Sequence, residues 1–454
     1  MSDAKNVKFS SEDLKATIRL LQDLIRIDTT NPPGNEGKAA EYLKGFFDSN
    51  GIDCETIGHS GRENAVAKLR GLKERPRLLF LSHTDVVPVA DVGVWTYPPF
   101  SGEIAGNWIY GRGAWDDKFD VAVQAMSLVL LKRQNVKLDG SLLYASVADE
   151  EVSGSGAAWL TKTVPDKVSA EYVVGEGGEP PVRLGSQKVY TITVGEKGLA
   201  WFKLTARGKA GHGSIPTLAR NASVMMAKAF VNLSSYKTKI TIIDEVSEAI
   251  KAAILGFFGE DKGSKMLDAY LNEEGVDILI DAMASVDKEL AETLRSLTRM
   301  TISPNVIKGG TETNVIPGTC EGRVDTRLLP GQDRDYASEV VRECVQGLDI
   351  DVEMPDYTRA SISPTDTRFY NILHETIDEL ASGCSTMPRL STGMSDSRFW
   401  RAIGSVVYGF VPMSPDISLA DVLPGVHGPN ERMNIESLQF ASQFLCKVAM
   451  KVLS

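Results

Sequence analysis

The feature that most constrains this chain is a repeated pattern, in which a short apolar run ends in an acid or a histidine. Residues 78–81 (Leu-Leu-Phe-Leu) lead into His83 and Asp85, and residues 142–148 lead into Asp149, Glu150 and Glu151. Residues 172–174 (Tyr-Val-Val) are followed by Glu176. Between the first two runs, residues 122–132 read as a helix. Short apolar runs read as buried strands, and strands alternating with helices imply an α/β sheet covered on both faces. In an open sheet of that kind, ligands bind beyond the carboxyl ends of the strands. Groups far apart in sequence are therefore expected to converge there.

The rest of the chain divides by texture. A first helix begins at Ser10 or Ser11, with Glu12 and Asp13 in its first turn and Leu14, Ile18, Leu21 and Ile25 at helical spacing. Asn31-Pro32-Pro33-Gly34 makes a rigid turn, and a second helix is expected over 36–48. From Lys188 onward, residues 189–193 and 200–206 alternate like strands of a half-exposed sheet, and 221–233 read as a helix. Residues 244–300 are helical in pattern and acidic. Strand patterns return at 314–324 and 348–354, with a helix between them. A helix over 369–381 and a strand over 405–410 then resume the first texture. The expected architecture is a discontinuous α/β domain (1–187 and 360–454) with a mixed, mostly parallel sheet, interrupted by an α+β domain (188–359).

Charge and cysteine usage exclude several functions. With 49 basic against 60 acidic residues the net charge is -11, and no long basic run offsets it, so nucleic acid and anionic membrane are not expected partners. Five scattered cysteines, Cys54, Cys320, Cys344, Cys384 and Cys446, form no CxxC pair, which argues against a disulfide framework or a thiolate metal site. The polar N-terminus, without the apolar stretch of a signal peptide, and the lack of a long apolar run lead to the expectation of a cytoplasmic protein.

Taken singly, each strand-end motif has an ordinary reading. His83-Thr84-Asp85 is a surface turn, Asp149-Glu150-Glu151 a solvated loop, and Asp116 and Asp117, after the turn Gly111-Arg112-Gly113-Ala114, caps for a helix. Together they put many carboxylates into one cleft, where mutual repulsion calls for a cation. Imidazole and oxygen ligands without thiolate suit zinc, cobalt or manganese. A bridging carboxylate, with one histidine and one further carboxylate for each ion, makes a dinuclear site.

The motifs Leu81-Ser82-His83-Thr84-Asp85-Val86-Val87-Pro88, Tyr110-Gly111-Arg112-Gly113-Ala114-Trp115-Asp116-Asp117-Lys118 and Asp149-Glu150-Glu151 resemble the di-zinc amidohydrolase and peptidase family. Its members include aminoacylase, acetylornithine deacetylase, succinyl-diaminopimelate desuccinylase and glutamate carboxypeptidase. Gly211-His212-Gly213-Ser214-Ile215-Pro216, Thr313-Asn314-Val315-Ile316-Pro317 and Val426-His427-Gly428-Pro429 continue the resemblance in order along the chain. It implies two divalent ions per subunit, zinc foremost, with cobalt or manganese as alternatives. His83, Asp116 and Glu176 would hold the first ion, and Glu151 and His427, with the bridging Asp116, the second. Asp85 would fix the tautomer of His83. Glu150 would be the general base that deprotonates a metal-bound water and returns the proton to the leaving amine. The Asp116–Asp117 bond would be cis. The discontinuous domain would be catalytic, and the inserted domain (188–359) would be the lid that forms a homodimer and delivers His212 to the partner's site. Asn314, Arg327, Gly393 and Ser395 would hold the substrate carboxylate.

The implied reaction is hydrolysis of an amide in N-acyl amino acids or small peptides with a free carboxylate. A dipeptidase or carboxypeptidase with the same chemistry is the alternative enzyme, and an inactive binding relative the alternative of another class. Arg327 has a competing reading as a lid salt bridge, Asn314 as a turn residue and Gly393 as a plain turn. The chain departs from the family pattern at Phe119, where glycine is usual, at Met394, where a small hydroxyl residue is common, and in the long helical stretch 244–300. His59 and His374 match no motif and read as ordinary residues.

Overall fold

The helix Ser11–Arg26 starts where its cap dictates. Ser10 Oγ accepts the N–H of Asp13, and the Asp13 carboxylate accepts the N–H of Ser10, so two otherwise orphaned donors are satisfied reciprocally. Leu20, Leu21, Leu24 and Ile25 form its buried stripe, which packs on the helix Lys118–Arg133. That second helix is apolar nearly all round because it lies against both the strand Pro76–His83 and the C-terminal helix Ile435–Val452. The structure, a computed structural model, describes residues 7–59, 61–73 and 76–454, and the side chain of His59 lies outside the described residues.

Contacts divide the chain into two compact units. The first comprises Met1–Val194, Ser363–Arg389 and Ser395–Ser454, and the second Gly195–Ile362 with Leu390–Met394. The change of unit thus falls inside the strand Gln187–Glu196 rather than at its start. A change of alternation in sequence marks where that strand begins, whereas contacts follow its body.

In the first unit the sheet runs Asp53–His59, Arg62–Leu69, Ser141–Val147, Pro76–His83, Tyr172–Gly175, Val406–Gly409, Gln187–Glu196. The four strands from Ser141–Val147 to Val406–Gly409 are parallel, and the flanking pairs are antiparallel. The sheet is therefore mixed and mostly parallel at its centre, as expected. Every residue of Ser141–Val147 is buried, which is why that strand reads as a nearly continuous apolar run. Leu79, Leu143, Val173, Val407 and Trp400 share one core on this sheet.

The second unit is built on a four-stranded antiparallel sheet, Thr301–Lys308, Thr319–Leu328, Gly198–Arg207, Ile350–Thr358. Phe202, Leu204, Val324 and Leu328 face the helices Ala222–Ser235 and Arg334–Cys344. The stretch 244–300 folds into four helices, Asp244–Phe258, Glu260–Tyr270, Val276–Ala284 and Lys288–Ser296. Sequence patterning did not mark Thr301–Lys308 as a strand, because Pro304 interrupts it. It is an edge strand whose register shifts between Pro304 and Val306, where a proline is tolerated. Among the described residues no helix is long and apolar enough to cross a membrane, and all five cysteines are free and buried.

Candidate metal centre

The strand Pro76–His83 ends on His83, whose own N–H donates to Asp117 Oδ2 at 2.9 Å. The neighbouring strand Ser141–Val147 runs out into Asp149, Glu150 and Glu151, and Tyr172–Gly175 into Glu176. The turn before Lys118–Arg133 brings in Asp116. Gly113 has φ 80° there, and a β-carbon on it would meet Val86 Cγ1 at 2.6 Å, so the turn needs glycine. The Asp116–Asp117 bond is cis. His427 arrives from the other end of the chain in the left-handed region, at φ 53°, a conformation that costs a residue with a β-carbon roughly 1 kcal/mol or more.

These residues meet around one carboxylate. Asp116 Oδ1 lies 3.1 Å from His83 Nε2, and Asp116 Oδ2 lies 3.1 Å from His427 Nε2. Glu176 Oε2 is 3.9 Å from His83 Nε2, and Glu151 Oε2 is 3.4 Å from His427 Nε2. Ligand atoms of His83, Asp116 and Glu151 lie within 4.8 Å of one another. Glu151 Oε1 is buried without a hydrogen-bond partner among the described residues, and a cation would satisfy such an oxygen. The donor set of two imidazoles and three carboxylates fits a divalent ion of zinc, cobalt or manganese type.

The electrostatics match a site made for positive charge. Burial first, and then neighbouring carboxylates, hold the Glu150 carboxyl well above its ordinary range despite the pull of His83. Burial and Asp116 push Glu176 up to about 8. Hydrogen bonds to Asp116 and Glu151 raise His427 to about 10. For His83, burial opposes charge, but hydrogen bonds to Asp116 and Asp85 outweigh it and raise the imidazole well above its usual value.

Asp85 lies beside the far nitrogen of His83, but its main-chain oxygen makes the closer contact, at 3.1 Å from Nδ1 against 3.4 Å for Oδ1. Its carboxylate mainly accepts the N–H groups of Glu150 (3.0 Å) and Glu151 (3.1 Å) and the amide of Asn31 (2.8 Å). A cavity of about 160 Å³ opens beside the cluster, lined by Trp115, Asp116, Glu176, Val411, Leu423 and Val426. Ser395 lies with His83, Glu150 and Glu176 around a smaller hollow of about 10 Å³.

The remaining predicted residues lie in the second unit. The pairing Gly211↔Ile316 and His212↔Val315 places His212 next to Asn314, whose carbonyl accepts the N–H of Gly213 at 2.7 Å. Both residues are exposed. The Ser214 N–H donates to His212 Nδ1 at 3.2 Å, so the neutral ring carries its proton on Nε2. Arg327 grips Asp325 with Nε at 2.8 Å and Nη2 at 3.2 Å, so the ion pair of its competing reading is present. Gly393 N–H donates to Ser391 Oγ at 3.2 Å in an exposed turn. His374 pairs with Thr386 and Asp378 on the first unit. Two buried residues near the cluster carried no sequence signal. Asn31 bridges Asp85 and Asp149 (2.9 Å), and Glu431 underlies the turn that carries Asp116. Each is an ordinary polar residue in a loop, and only the folded chain sets it apart.

The fold and the cluster together define a two-unit α/β protein that gathers imidazoles and carboxylates at the carboxyl edge of a parallel sheet to hold metal. The chain belongs to the peptidase family M20/M25/M40, whose model matches residues 79–451. A succinyl-diaminopimelate desuccinylase of Cereibacter sphaeroides is 34% identical over 256 residues, covering 54% of this chain and 62% of the relative. The matched stretch thus spans less than two thirds of that relative's length. An N-fatty-acyl-amino acid synthase/hydrolase of Xenopus tropicalis is 27% identical, covering 96% of this chain and 86% of the relative. Among solved structures, an M20 family metallo-carboxypeptidase of Sulfolobus solfataricus superposes with a TM-score of 0.71 at 19% identity, over 98% of this chain and 99% of that one.

Proposed function

We propose that this protein hydrolyses an amide bond in N-acyl amino acids or small peptides that carry a free carboxylate, using two divalent metal ions, zinc foremost. The observation that carries the reading is Asp116, which turns one oxygen toward His83 and the other toward His427, each at 3.1 Å. A carboxylate shared in this way between two imidazoles, each with an acid of its own (Glu176 and Glu151), is a ligand set for a pair of ions. The ions supply Lewis acidity at the scissile carbonyl and at the attacking water. Glu150, kept basic by burial, takes the proton from that water and returns it to the leaving amine. The cavity lined by Val411, Leu423 and Val426 offers room for an apolar group of the substrate. The desuccinylase and the fatty-acyl hydrolase among its relatives both bear names for N-acyl substrates. The carboxypeptidase fold neighbour keeps a peptidase as the second reading.

On the same reading Asn314, Arg327, Gly393 and Ser395 bind the substrate carboxylate, and the chain works as a homodimer in which His212 of the partner subunit completes the site. The division into catalytic and lid domains belongs to this proposal, as does a cytoplasmic location, which five unpaired cysteines suit. The test is exhaustive chelation followed by readdition of zinc, cobalt or manganese, read on acetyl, succinyl and benzoyl amino acids and on dipeptides. Chelation should abolish hydrolysis, and metal content should approach two ions per chain. Full activity without metal would overturn the reading, and loading that saturates at one ion would overturn its dinuclear form.

A further inference from the structure

The geometry points to Glu431 as a positioning residue that sets the two metal-holding loops relative to each other. It rests on the reading above that Asp116 and His427 hold metal. Glu431 is 1% exposed and its partner Arg112 2%. The carboxylate accepts four donors. The N–H of Gly113 (2.9 Å) and Arg112 Nη1 (2.6 Å) reach Oε2, and the N–H groups of Trp115 (2.9 Å) and Asp116 (3.0 Å) reach Oε1. The main-chain oxygen of Glu431 accepts the N–H of Gly111 at 2.9 Å. The whole turn 111–116 is thus pinned to one residue of the loop that follows His427.

Arg112 closes the arrangement. Its Nη2 donates to the carbonyl of Gly428, next to His427, at 3.1 Å, and its guanidinium lies over the Trp95 ring at 5.4 Å. Two hydrogen bonds through one guanidinium therefore link the Glu431 carboxylate to the neighbour of His427. The same carboxylate holds the main chain of Asp116. The separation of the two side chains that face each other across the cluster is set through this link. It also holds His427 in its left-handed conformation. A carboxylate whose two oxygens each accept two donors suits the task because both of its oxygens are acceptors. Glutamine at 431 would turn an N–H₂ group toward main-chain N–H donors or the guanidinium and lose at least two of the four bonds.

The test compares wild type with Glu431→Gln in chelator competition with Zn²⁺ and Co²⁺, and in the visible absorption of the Co²⁺ form. Outer partners of metal ligands typically alter metal affinity about 10–100-fold. The variant should bind that much more weakly, show a changed Co²⁺ spectrum, and lose kcat more than KM at saturating metal. Unchanged affinity and spectrum with only a lower unfolding midpoint would overturn the proposal and leave Glu431 a structural residue. Wild type that binds neither metal would instead bring down the metal reading itself. If Glu431→Gln does not fold, Arg112→Lys decides, because it keeps the carboxylate and its main-chain donors but cannot span both Glu431 and Gly428. Weaker binding of one ion supports the proposal, and wild-type binding of both refutes it.

Discussion

Asp85 serves two loops at once. It is proposed to orient the His83 ring, and both of its carboxylate oxygens accept main-chain N–H groups from Glu150 and Glu151. Those two glutamates are adjacent in sequence and are proposed for different tasks. Their neighbours separate them: Glu151 approaches His427 at 3.4 Å, while Glu150 lines the small hollow with His83, Glu176 and Ser395. Glu150→Gln keeps the size and removes the base, so turnover should fall by about 10²–10⁴-fold while metal content stays at the wild-type level. Glu151→Gln should instead lower metal content. Measuring kcat and bound metal on the same samples checks both, and normal turnover in Glu150→Gln would reassign the base.

At the scale of elements, a buried lysine helps to anchor the end of the helical stretch 244–300. Lys197, 1% exposed, reaches the carbonyls of Ser296 (2.7 Å) and Arg299 (2.9 Å) and Thr301 Oγ1 (3.3 Å), where the last of the four helices runs into the edge strand. Lys197→Met would take this donor from those partly buried carbonyls, at a cost of about 1–3 kcal/mol. Burial, aided by the Arg327 charge and opposed by Asp325, brings the Lys197 amine down from 10.5 to about 7. The fold therefore binds fewer protons than the unfolded chain between those values, and stability should rise with pH across that window. The cost of Lys197→Met should accordingly be larger at pH 9.5 than at pH 7, as read by urea unfolding. A cost that shrinks as pH rises would mean that Lys197 stays charged in the fold.

On the scale of the whole molecule, the proposed dimer gives His212 its function. Its ring, with the proton on Nε2, stands exposed at the end of a two-stranded ribbon, where a donor can be offered to a developing oxyanion. Mixing inactive Glu150→Gln with inactive His212→Ala, under conditions that exchange subunits, should restore activity, because one site of each mixed dimer then has both groups. Verified exchange without recovery, or an active monomer in sedimentation, would rule out the shared site.

The sequence by itself determined the central strands, the helices packed on them and the acids at the strand ends, because burial on both faces writes unbroken apolar runs and local periodicity needs no partner. Tertiary structure alone decided which oxygen of Asp116 meets which imidazole, since His83 and His427 come from opposite ends of the chain. The same holds for Glu431 and Asn31, whose partners lie across long loops, and for the edge strand Thr301–Lys308, whose pairing with Thr319–Leu328 overrides an interior proline. It holds too for the engagement of Arg327 with Asp325, two residues away on the same strand. A guanidinium two positions from a carboxylate reads alike whether the pair closes on itself or turns to a ligand, and only side-chain placement in the sheet distinguishes the two.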